Sequence, residues 1–303
     1  MNVSLTLAGA AVRAAGAVSP RWGGAVALSH FRRVARPRPV TADDGWTMLK
    51  ASRSSVRIPG IDRRGVDVVT YEWGRGTRIA VLAHGWEGRA SQFATLVREL
   101  VAEGFRVVAF DAPAHGDSPG RGTYVIDWID VLDRLQRRHG RFDLVVGHSF
   151  AGFAAMVAAA GGLQAGRIVT IGAPAEAATL MRGFQRMLRF SDQVLDVMSA
   201  RFAARYFPGD ADPYVRLSTI RRPLPAGVAL LVMHDGADRV VPFAEAARIA
   251  AANPAARTLA TQGLGHYRIL TADSTLDAVL AFVEQPVRGV PVPAPAPAPS
   301  IVG

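Results

Sequence analysis

Short apolar runs alternate with stretches of helical periodicity over most of the chain. The apolar runs, which predict buried strands, lie at 79–83, 107–110, 144–146, 168–171 and 228–233. Between them, apolar residues recur three and four positions apart at 91–103, 125–139 and 150–160. The repeat continues with a predicted helix at 243–252, a last strand at 257–261 and a final helix at 274–283. Strict alternation at 54–58 and 66–73 predicts a β-hairpin. The repeated β-α unit predicts an α/β fold with a mostly parallel sheet and helices on both faces.

This repeat is interrupted once, between residues 174 and 225. The segment has no strand pattern, and its helical periodicity is clearest at 181–188 and 194–206. Because it lies between two predicted strands, we expect it to project from the sheet edge as a small helical cap. The sequence therefore predicts a core formed by 54–173 and 226–285, with 174–225 inserted as the cap.

Both ends of the chain differ from this core. Residues 1–53 carry six arginines before the first acidic residue, Asp43. Their apolar residues have helical spacing, and the stretch 5–18 is too short to span a bilayer. We predict a basic helical segment packed on the body, with weak peripheral contact to a membrane surface as the alternative. Residues 286–303 alternate proline and alanine, which predicts an extended, mobile tail.

Composition limits the classes of partner and of chemistry. The net charge is +10, but Lys50 is the only lysine, and no basic run is interleaved with aromatic residues. Since this arginine and alanine bias is typical of a GC-rich genome, we do not predict nucleic-acid binding. The chain has no cysteine, which excludes disulfides, thiolate metal sites and a cysteine nucleophile. The absence is compatible with a reducing compartment, and we expect a cytoplasmic protein.

A candidate nucleophile lies between a predicted strand and a predicted helix. Residues 147–152 read GHSFAG, so that Ser149 would occupy a sharp strand-to-helix turn at the edge of the sheet. Such a turn requires small residues two positions before and after the serine. Gly147 meets this requirement fully and Ala151 only partly.

A serine nucleophile needs an imidazole base and a carboxylate that orients it. Of the seven histidines, His266 alone follows the last predicted strand, from where a loop can reach Ser149. The strand at 228–233 leads into a loop that holds both Asp235 and Asp238. We predict Asp238 as the orienting carboxylate, because the chain order Ser, Asp, His then matches the nucleophile-elbow hydrolases. Asp235 is the alternative.

The same chemistry requires two N–H groups that bind the oxyanion. One is that of Phe150, which directly follows the serine. The sequence HGWEG at 84–88 follows another predicted strand, and its glycine lets the backbone turn toward the site. We predict the Trp86 N–H as the second donor.

These motifs together resemble the α/β-hydrolase superfamily. The resemblance covers residues 54–285 and rests on HGW at 84–86, the loop DAPAHGDS at 111–118, the turn at Ser149, Asp238 and His266. Within this superfamily, the chain is similar to bacterial serine hydrolases with a short helical cap. It implies that His84, Asp111 and His115 shape the scaffold and that His148 lines the site. Ala151 departs from the usual glycine.

The predicted reaction is hydrolysis of a carboxylic ester or thioester through an acyl-enzyme intermediate, without metal or organic cofactor. The partner is a small-molecule acyl substrate, and the oligomeric state is left open. Apolar cap residues, including Met181 and Phe184, would line the acyl pocket. Alternatives that use the same three residues are perhydrolase and carbon–carbon bond hydrolase chemistry. A non-catalytic binding protein and a membrane-peripheral lipase are further alternatives.

Overall fold

The computed structural model describes residues 3–35 and 38–285 and contains one eight-stranded sheet. The strand order is β1-β2-β4-β3-β5-β6-β7-β8; β2 pairs antiparallel with β1 and β4, and the remaining pairs are parallel. All eight predicted strands are present. They are β1 Ser52–Ile58, β2 Val66–Trp73, β3 Arg78–Ala83, β4 Phe105–Phe110, β5 Phe142–His148, β6 Ala165–Ile171, β7 Ala229–Asp235 and β8 Arg257–Thr261.

Helices cover both faces of this sheet, because successive side chains of a strand point to opposite sides. Ile79, Val81 and Ala83 of β3 join one hydrophobic core, whereas Ala80 and Leu82 join the other. The first core contains α5 (Val125–His139), α6 (Phe150–Ala160) and α10 (Ala244–Ala252). The second contains α4 (Ala94–Ala102) and α12 (Asp273–Glu284). The predicted fold class is confirmed.

Three helices are inserted between β6 and β7. They are α7 (Ala177–Leu188), α8 (Asp192–Tyr206) and the single turn α9 (Pro213–Arg216). The start of this insertion is fixed to the core, because the Glu245 side chain accepts a 2.9 Å hydrogen bond from the Ala175 N–H. Arg248 in turn pairs with Glu176, at the entry to α7. The inserted helices lie where the sequence predicts the cap.

The N-terminal segment forms three helices, α1 (Val3–Val18), α2 (Pro20–Phe31) and α3 (Ala42–Leu49). Ser19 caps α2 and Pro20 begins it, so α1 turns directly into α2. The two helices pack on the cap, and the Arg13 guanidinium donates a 2.7 Å hydrogen bond to the Leu188 carbonyl at the C-terminal end of α7. The sequence predicted packing without identifying the cap as the surface that receives it. The predicted tail at 286–303 lies outside the described residues.

Glycine makes the contact between α2 and α8 close. A Cβ atom added at Gly24 would lie 2.5 Å from Val197 Cγ1 and 2.9 Å from the Met198 nitrogen. A Cβ atom added at Gly23 would lie 2.7 Å from the Gly16 Cα of α1. The absence of side chains on α2 at these two positions therefore lets α1 and α8 approach closely, and the N-terminal hairpin is fixed on the cap at short range.

Gly24→Ala should destabilise the protein although alanine favours helix. The added methyl group would force α2 away from α8, at a cost of about 1–3 kcal/mol. Gly45→Ala in α3 is the matched control, since a Cβ there meets nothing within 4 Å, and it should be neutral or stabilise by up to about 1 kcal/mol. Thermal unfolding followed by circular dichroism measures both. Equal melting temperatures for the two variants would contradict this helix packing.

Candidate active site

Ser149 lies on the tight turn between β5 and α6. Its backbone adopts φ 53° and ψ −120°, a conformation that non-glycine residues rarely occupy. Its N–H donates a 2.7 Å hydrogen bond to the Ile171 carbonyl of β6, which helps to hold the strained turn. The side chain of Ser149 is thereby presented beyond the carboxyl end of the central strand β5.

The turn can form because glycine occupies the two positions of closest approach. A Cβ atom at Gly147 would lie 2.5 Å from the Gly152 nitrogen. One at Gly152 would lie 2.8 Å from the Gly147 oxygen and 2.9 Å from Ala173 Cβ. Ala151 is buried and its methyl group is accommodated, so the departure from the usual glycine leaves the turn intact. The sequence motif identified Gly147 but missed the role of Gly152.

His266 and Asp238 are brought together from two different strand ends. His266 lies in the short helix α11 (Gly265–Arg268) after β8, and its Nδ1 is 2.7 Å from Asp238 Oδ2. Gly172, which follows β6 at φ 62°, leaves space for this pair, because a Cβ there would lie 3.2 Å from both atoms. The sequence did not identify Gly172, because the need for glycine there arises from a contact between segments that are distant in the chain.

The carboxylate of Asp238 is held in its ionised form. Burial raises its pKa, but hydrogen bonds from His234, His266 and the Val241 N–H lower it by a larger amount. The net pKa of Asp238 therefore lies well below the ordinary value. The His234 Nε2 lies 3.4 Å from Asp238 Oδ2 and 3.1 Å from the Val241 carbonyl. His234, to which the sequence assigned no role, therefore contacts the same carboxylate oxygen as His266.

Asp235, the alternative carboxylate, has a different position. It accepts hydrogen bonds from Thr261 Oγ1 at 2.7 Å, from the Leu264 N–H at 3.0 Å and from the Gly265 N–H at 2.9 Å. Burial raises its pKa, but these hydrogen bonds and one from the Ala237 N–H lower it to about 2. Asp235 thus ties the end of β7 to the segment that carries His266, and it does not contact the imidazole.

The two predicted oxyanion donors lie on either side of the serine. Phe150 follows Ser149, and Gly85 packs so closely that an added Cβ would lie 2.9 Å from Ser149 Cβ. Within the described residues, neither the Phe150 N–H nor the Trp86 N–H has a hydrogen-bond partner. Unpaired N–H groups beside a serine can bind an anionic oxygen.

The loop that carries Trp86 is held in place by buried histidines. The His84 Nδ1 donates to the Gly85 carbonyl at 2.7 Å, and its Nε2 accepts from the Ala112 N–H at 2.9 Å. His115 Nε2 accepts a 3.0 Å hydrogen bond from the Glu87 N–H. Burial lowers the pKa of His84 to about 4 and that of His115 to about 3, so both rings are neutral near pH 7. Their contacts are those of scaffold residues, as the resemblance implied.

Asp111 anchors the same loop from below. It accepts hydrogen bonds from the Ala90 N–H at 2.7 Å and from the Asp117 N–H at 2.8 Å. The buried Arg89 guanidinium lies 3.6 Å from Asp111 and 2.9 Å from Asp117. The charge of the guanidinium is therefore balanced beneath the site and does not face the space in front of Ser149.

His148 is placed differently from the sequence-based expectation. Its side chain is buried and does not line the cavity in front of Ser149. Instead its Nε2 donates a 2.8 Å hydrogen bond to the His266 carbonyl, and the two rings lie 4.6 Å apart. Burial, and secondarily the neighbouring His266, lowers the pKa of His148 to about 3. The ring acts as a neutral support behind His266.

A cavity of about 370 Å³ opens in front of Ser149 and His266. Met181 and Phe184 of the cap line it, together with other apolar residues of the cap and core. The N-terminal hairpin also contributes to the lining, which the sequence did not indicate. Its contribution consists of Leu5, His30, Phe31 and Arg33.

The sequence profile of the alpha/beta hydrolase family matches residues 80–282. The chain belongs to this family. A serine hydrolase-like protein from Dictyostelium discoideum is 32% identical over 103 residues, which cover 31% of this chain and only 29% of that protein. The family assignment and the confirmed fold class therefore agree.

Solved structures of other α/β hydrolases share this fold. An esterase from Pyrococcus furiosus superimposes with a TM-score of 0.57 at 18% identity, covering 84% of this chain and 96% of that one. A thioesterase domain from the curacin biosynthetic pathway gives 0.55 at 14% identity, with coverage of 78% and 99%. At these identities, the likeness establishes the fold of the α/β-hydrolase family.

Residues 3–35 and 38–285 contain no group of three or more histidine and carboxylate side chains that could hold a metal ion. In the same ranges, no helix is both long enough and apolar enough to cross a bilayer.

Asp235→Asn should lower the free energy of unfolding most at neutral pH. Because the folded pKa of Asp235 is about 2 and the reference value is 3.8, its stabilisation is present above pH 4 and is lost as the pH falls toward 2. The stability gap between wild type and Asp235→Asn should therefore narrow below pH 4. Urea unfolding at pH 6, 4 and 3 measures this gap. A gap independent of pH would contradict the hydrogen-bonded, ionised state of Asp235.

Asp127 in α5 should show the opposite dependence. It accepts a 2.7 Å hydrogen bond from Thr123, a cavity-lining residue, while burial, and further the charges of Asp130 and Asp62, raise its pKa to about 7. A raised carboxyl pKa favours folding while the proton is bound, so this stability is lost as the pH rises from 4 to 7. Between pH 5 and 8, the free energy of unfolding of Asp127→Asn should therefore fall by about 2 kcal/mol less than that of the wild type. Urea unfolding across this range tests it; identical pH profiles for both proteins would contradict it.

Proposed function

We propose that this protein is a serine hydrolase that cleaves a carboxylic ester or thioester through an acyl-enzyme intermediate. The observation that carries the proposal is the convergence of Ser149, on its strained turn, and the hydrogen-bonded pair His266–Asp238 on one cavity. Family membership and the esterase and thioesterase folds among the similar structures support it.

The reaction would begin with deprotonation of Ser149. Because the His266 Nδ1–H donates a hydrogen bond to Asp238, the free lone pair is on Nε2, which can accept the serine proton. The ionised Asp238 then stabilises the imidazolium that forms. The serine oxygen attacks the acyl carbon, and the N–H groups of Trp86 and Phe150 bind the oxyanion.

The acyl-enzyme would form when the leaving group takes the proton from His266 and departs. Water then attacks the acyl carbon while His266 accepts one of its protons. The bond from that carbon to Ser149 Oγ breaks, Ser149 takes the proton from His266, and the carboxylic acid is released. No cofactor enters these steps. Contacts with Trp128 would keep Trp86 in position. The two rings are stacked, with centroids 6.3 Å apart and 20° between their planes. The Trp128 indole N–H also donates a hydrogen bond to the His84 carbonyl.

The cavity suits an acyl group of short or medium length. Its volume of about 370 Å³ is near the lower end for ligand pockets. Aromatic and thioether side chains of the cap, including Phe184 and Met181, provide an apolar surface that adapts to chain length. Substrate selection would therefore reside in the cap and the N-terminal hairpin, while the core carries the reacting groups.

Hydrolysis of p-nitrophenyl esters of graded chain length tests the proposal. Ser149→Ala should abolish turnover, and Asp238→Asn should reduce kcat on the order of 10³–10⁴-fold, because the asparagine favours the wrong imidazole tautomer. Asp235→Asn is the matched control, because Asp235 lies three residues from Asp238 and does not contact the His266 imidazole. This variant should retain activity within about tenfold of the wild type. Circular dichroism confirms that each variant folds.

Three outcomes would overturn parts of this proposal. Wild-type rates in Ser149→Ala would exclude the mechanism. A larger loss in Asp235→Asn than in Asp238→Asn would exchange the roles of the two carboxylates. If no ester is cleaved but a fluorophosphonate still labels Ser149, perhydrolase or carbon–carbon bond hydrolysis becomes the better assignment; without labelling, a non-catalytic role does.

A further inference from the structure

A second cleft of about 580 Å³ lies beside the acyl cavity. Three segments form it: the end of α2, the turn between β1 and β2, and the loop after β4. The cleft is basic and contains four arginines, namely Arg32, Arg33, Arg64 and Arg121. None of the steps proposed above uses it.

The acidic residues of this cleft are already paired. Asp67 lies 2.6 Å from Arg57, and Asp62 lies 3.6 Å from Arg32 and 4.0 Å from Arg205. Among the described residues, no acidic side chain forms an ion pair with Arg33, Arg64 or Arg121. The three remaining guanidinium groups give the cleft an uncompensated positive charge.

The cleft and the acyl cavity share one residue, Arg33, which lines both. The wall between them is a pairing of two backbone segments, in which Arg33 bridges Gly122 and the Thr123 N–H donates to the Arg32 carbonyl at 2.9 Å. Gly122 faces the cleft and Thr123 faces the cavity. The wall is close-packed, because a Cβ on Gly122 would lie 2.9 Å from the Arg32 oxygen. Arg33 is therefore the residue at which the two spaces adjoin.

We infer that the leaving group of the substrate carries phosphate and lies in this arginine cleft. The inference rests on the proposed hydrolysis at Ser149 and names its substrate class: an acyl thioester or ester of a phosphorylated thiol or alcohol. Guanidinium groups bind phosphate oxygens through paired, charge-assisted hydrogen bonds. The cleft is also larger than the acyl cavity, which matches a leaving group that is bulkier than the acyl group.

The chemistry of the step is unchanged. Ser149 Oγ forms a bond to the acyl carbon, and the bond from that carbon to the sulfur or oxygen of the leaving group breaks. The leaving thiol or alcohol takes the proton that His266 removed from Ser149. Arg64 and Arg121 line the cleft and not the acyl cavity, so their replacement should affect KM for phosphorylated substrates and leave the hydrolysis of neutral esters unchanged.

Kinetics on matched charged and neutral substrates test this assignment. Arg64→Gln/Arg121→Gln should raise KM for octanoyl-coenzyme A about tenfold at low salt, with little change in kcat. Activity on p-nitrophenyl octanoate should stay within twofold. Arg201→Gln/Arg257→Gln is the control: both arginines are exposed and lie outside the cleft, and the net charge falls by the same amount. It should behave as wild type on both substrates.

Binding without turnover separates this inference from the proposed function. In the Ser149→Ala background, the dissociation constant of octanoyl-coenzyme A should rise about tenfold when Arg64 and Arg121 are replaced. If neither the binding of octanoyl-coenzyme A nor the hydrolysis of phospholipid vesicles depends on the cleft pair, the inference is overturned even if Ser149 hydrolyses neutral esters. Loss of the Ser149 requirement in ester hydrolysis would instead overturn the proposed function.

A lipid headgroup is the other source of the same phosphate chemistry. Release of fatty acid from mixed phosphatidylcholine–phosphatidylglycerol vesicles tests it with the same variants. Cleft-dependent hydrolysis of these vesicles, without cleft-dependent binding of octanoyl-coenzyme A, would assign the phosphate to a lipid. Cleft-dependent binding of octanoyl-coenzyme A alone would assign it to a soluble carrier.

Discussion

Parallel pairing of β3, β5, β6, β7 and β8 places the carboxyl ends of five strands at one edge of the sheet. Each group of the candidate site begins within a few residues of that edge, from the loop after β3 to the short helix after β8. Brought from separate parts of the chain, they need only short loops to meet. The burial of both faces of the sheet keeps these strand ends in fixed register, so the geometry of the site depends on the core beneath it.

The protonation state of each buried group in the site depends on its burial and its hydrogen-bond partners. His84, His115 and His148 are neutral, since burial opposes their protonated forms and each ring still bonds a backbone group. Asp235 and Asp238 are ionised, since several donors surround each carboxylate. The two aspartates lie three residues apart, yet one fixes a loop and the other orients an imidazole. Their roles differ because only Asp238 reaches the ring of His266.

The sequence was sufficient for the sheet. Apolar runs located the five strands β3 to β7, because a strand buried on both faces has no polar positions to obscure it, and alternation located β1 and β2. β8 is mostly exposed, and its place after a predicted helix indicated it. The direction of a side chain at a strand end is not encoded in this way. His148 was expected in the pocket, but it lies behind His266, since its orientation depends on the loop that later packs over it. Gly152 and Gly172 were missed for the same reason: their value lies in contacts between segments far apart in the chain.

The N-terminal hairpin shows the same limit on a larger scale. Helical spacing in α1 and α2 indicated a buried face but could not identify the cap as its partner, because close contacts through glycine leave no distinctive apolar pattern. Under the proposed function, this placement would let the hairpin contribute to substrate selection. The end of α2 lines the acyl cavity through Phe31 and both spaces through Arg33. Under the proposed function, a segment outside the α/β core would contact both halves of the substrate. The core would then fix the reaction while the cap and hairpin fix the substrate, a division that lets one fold serve different substrates.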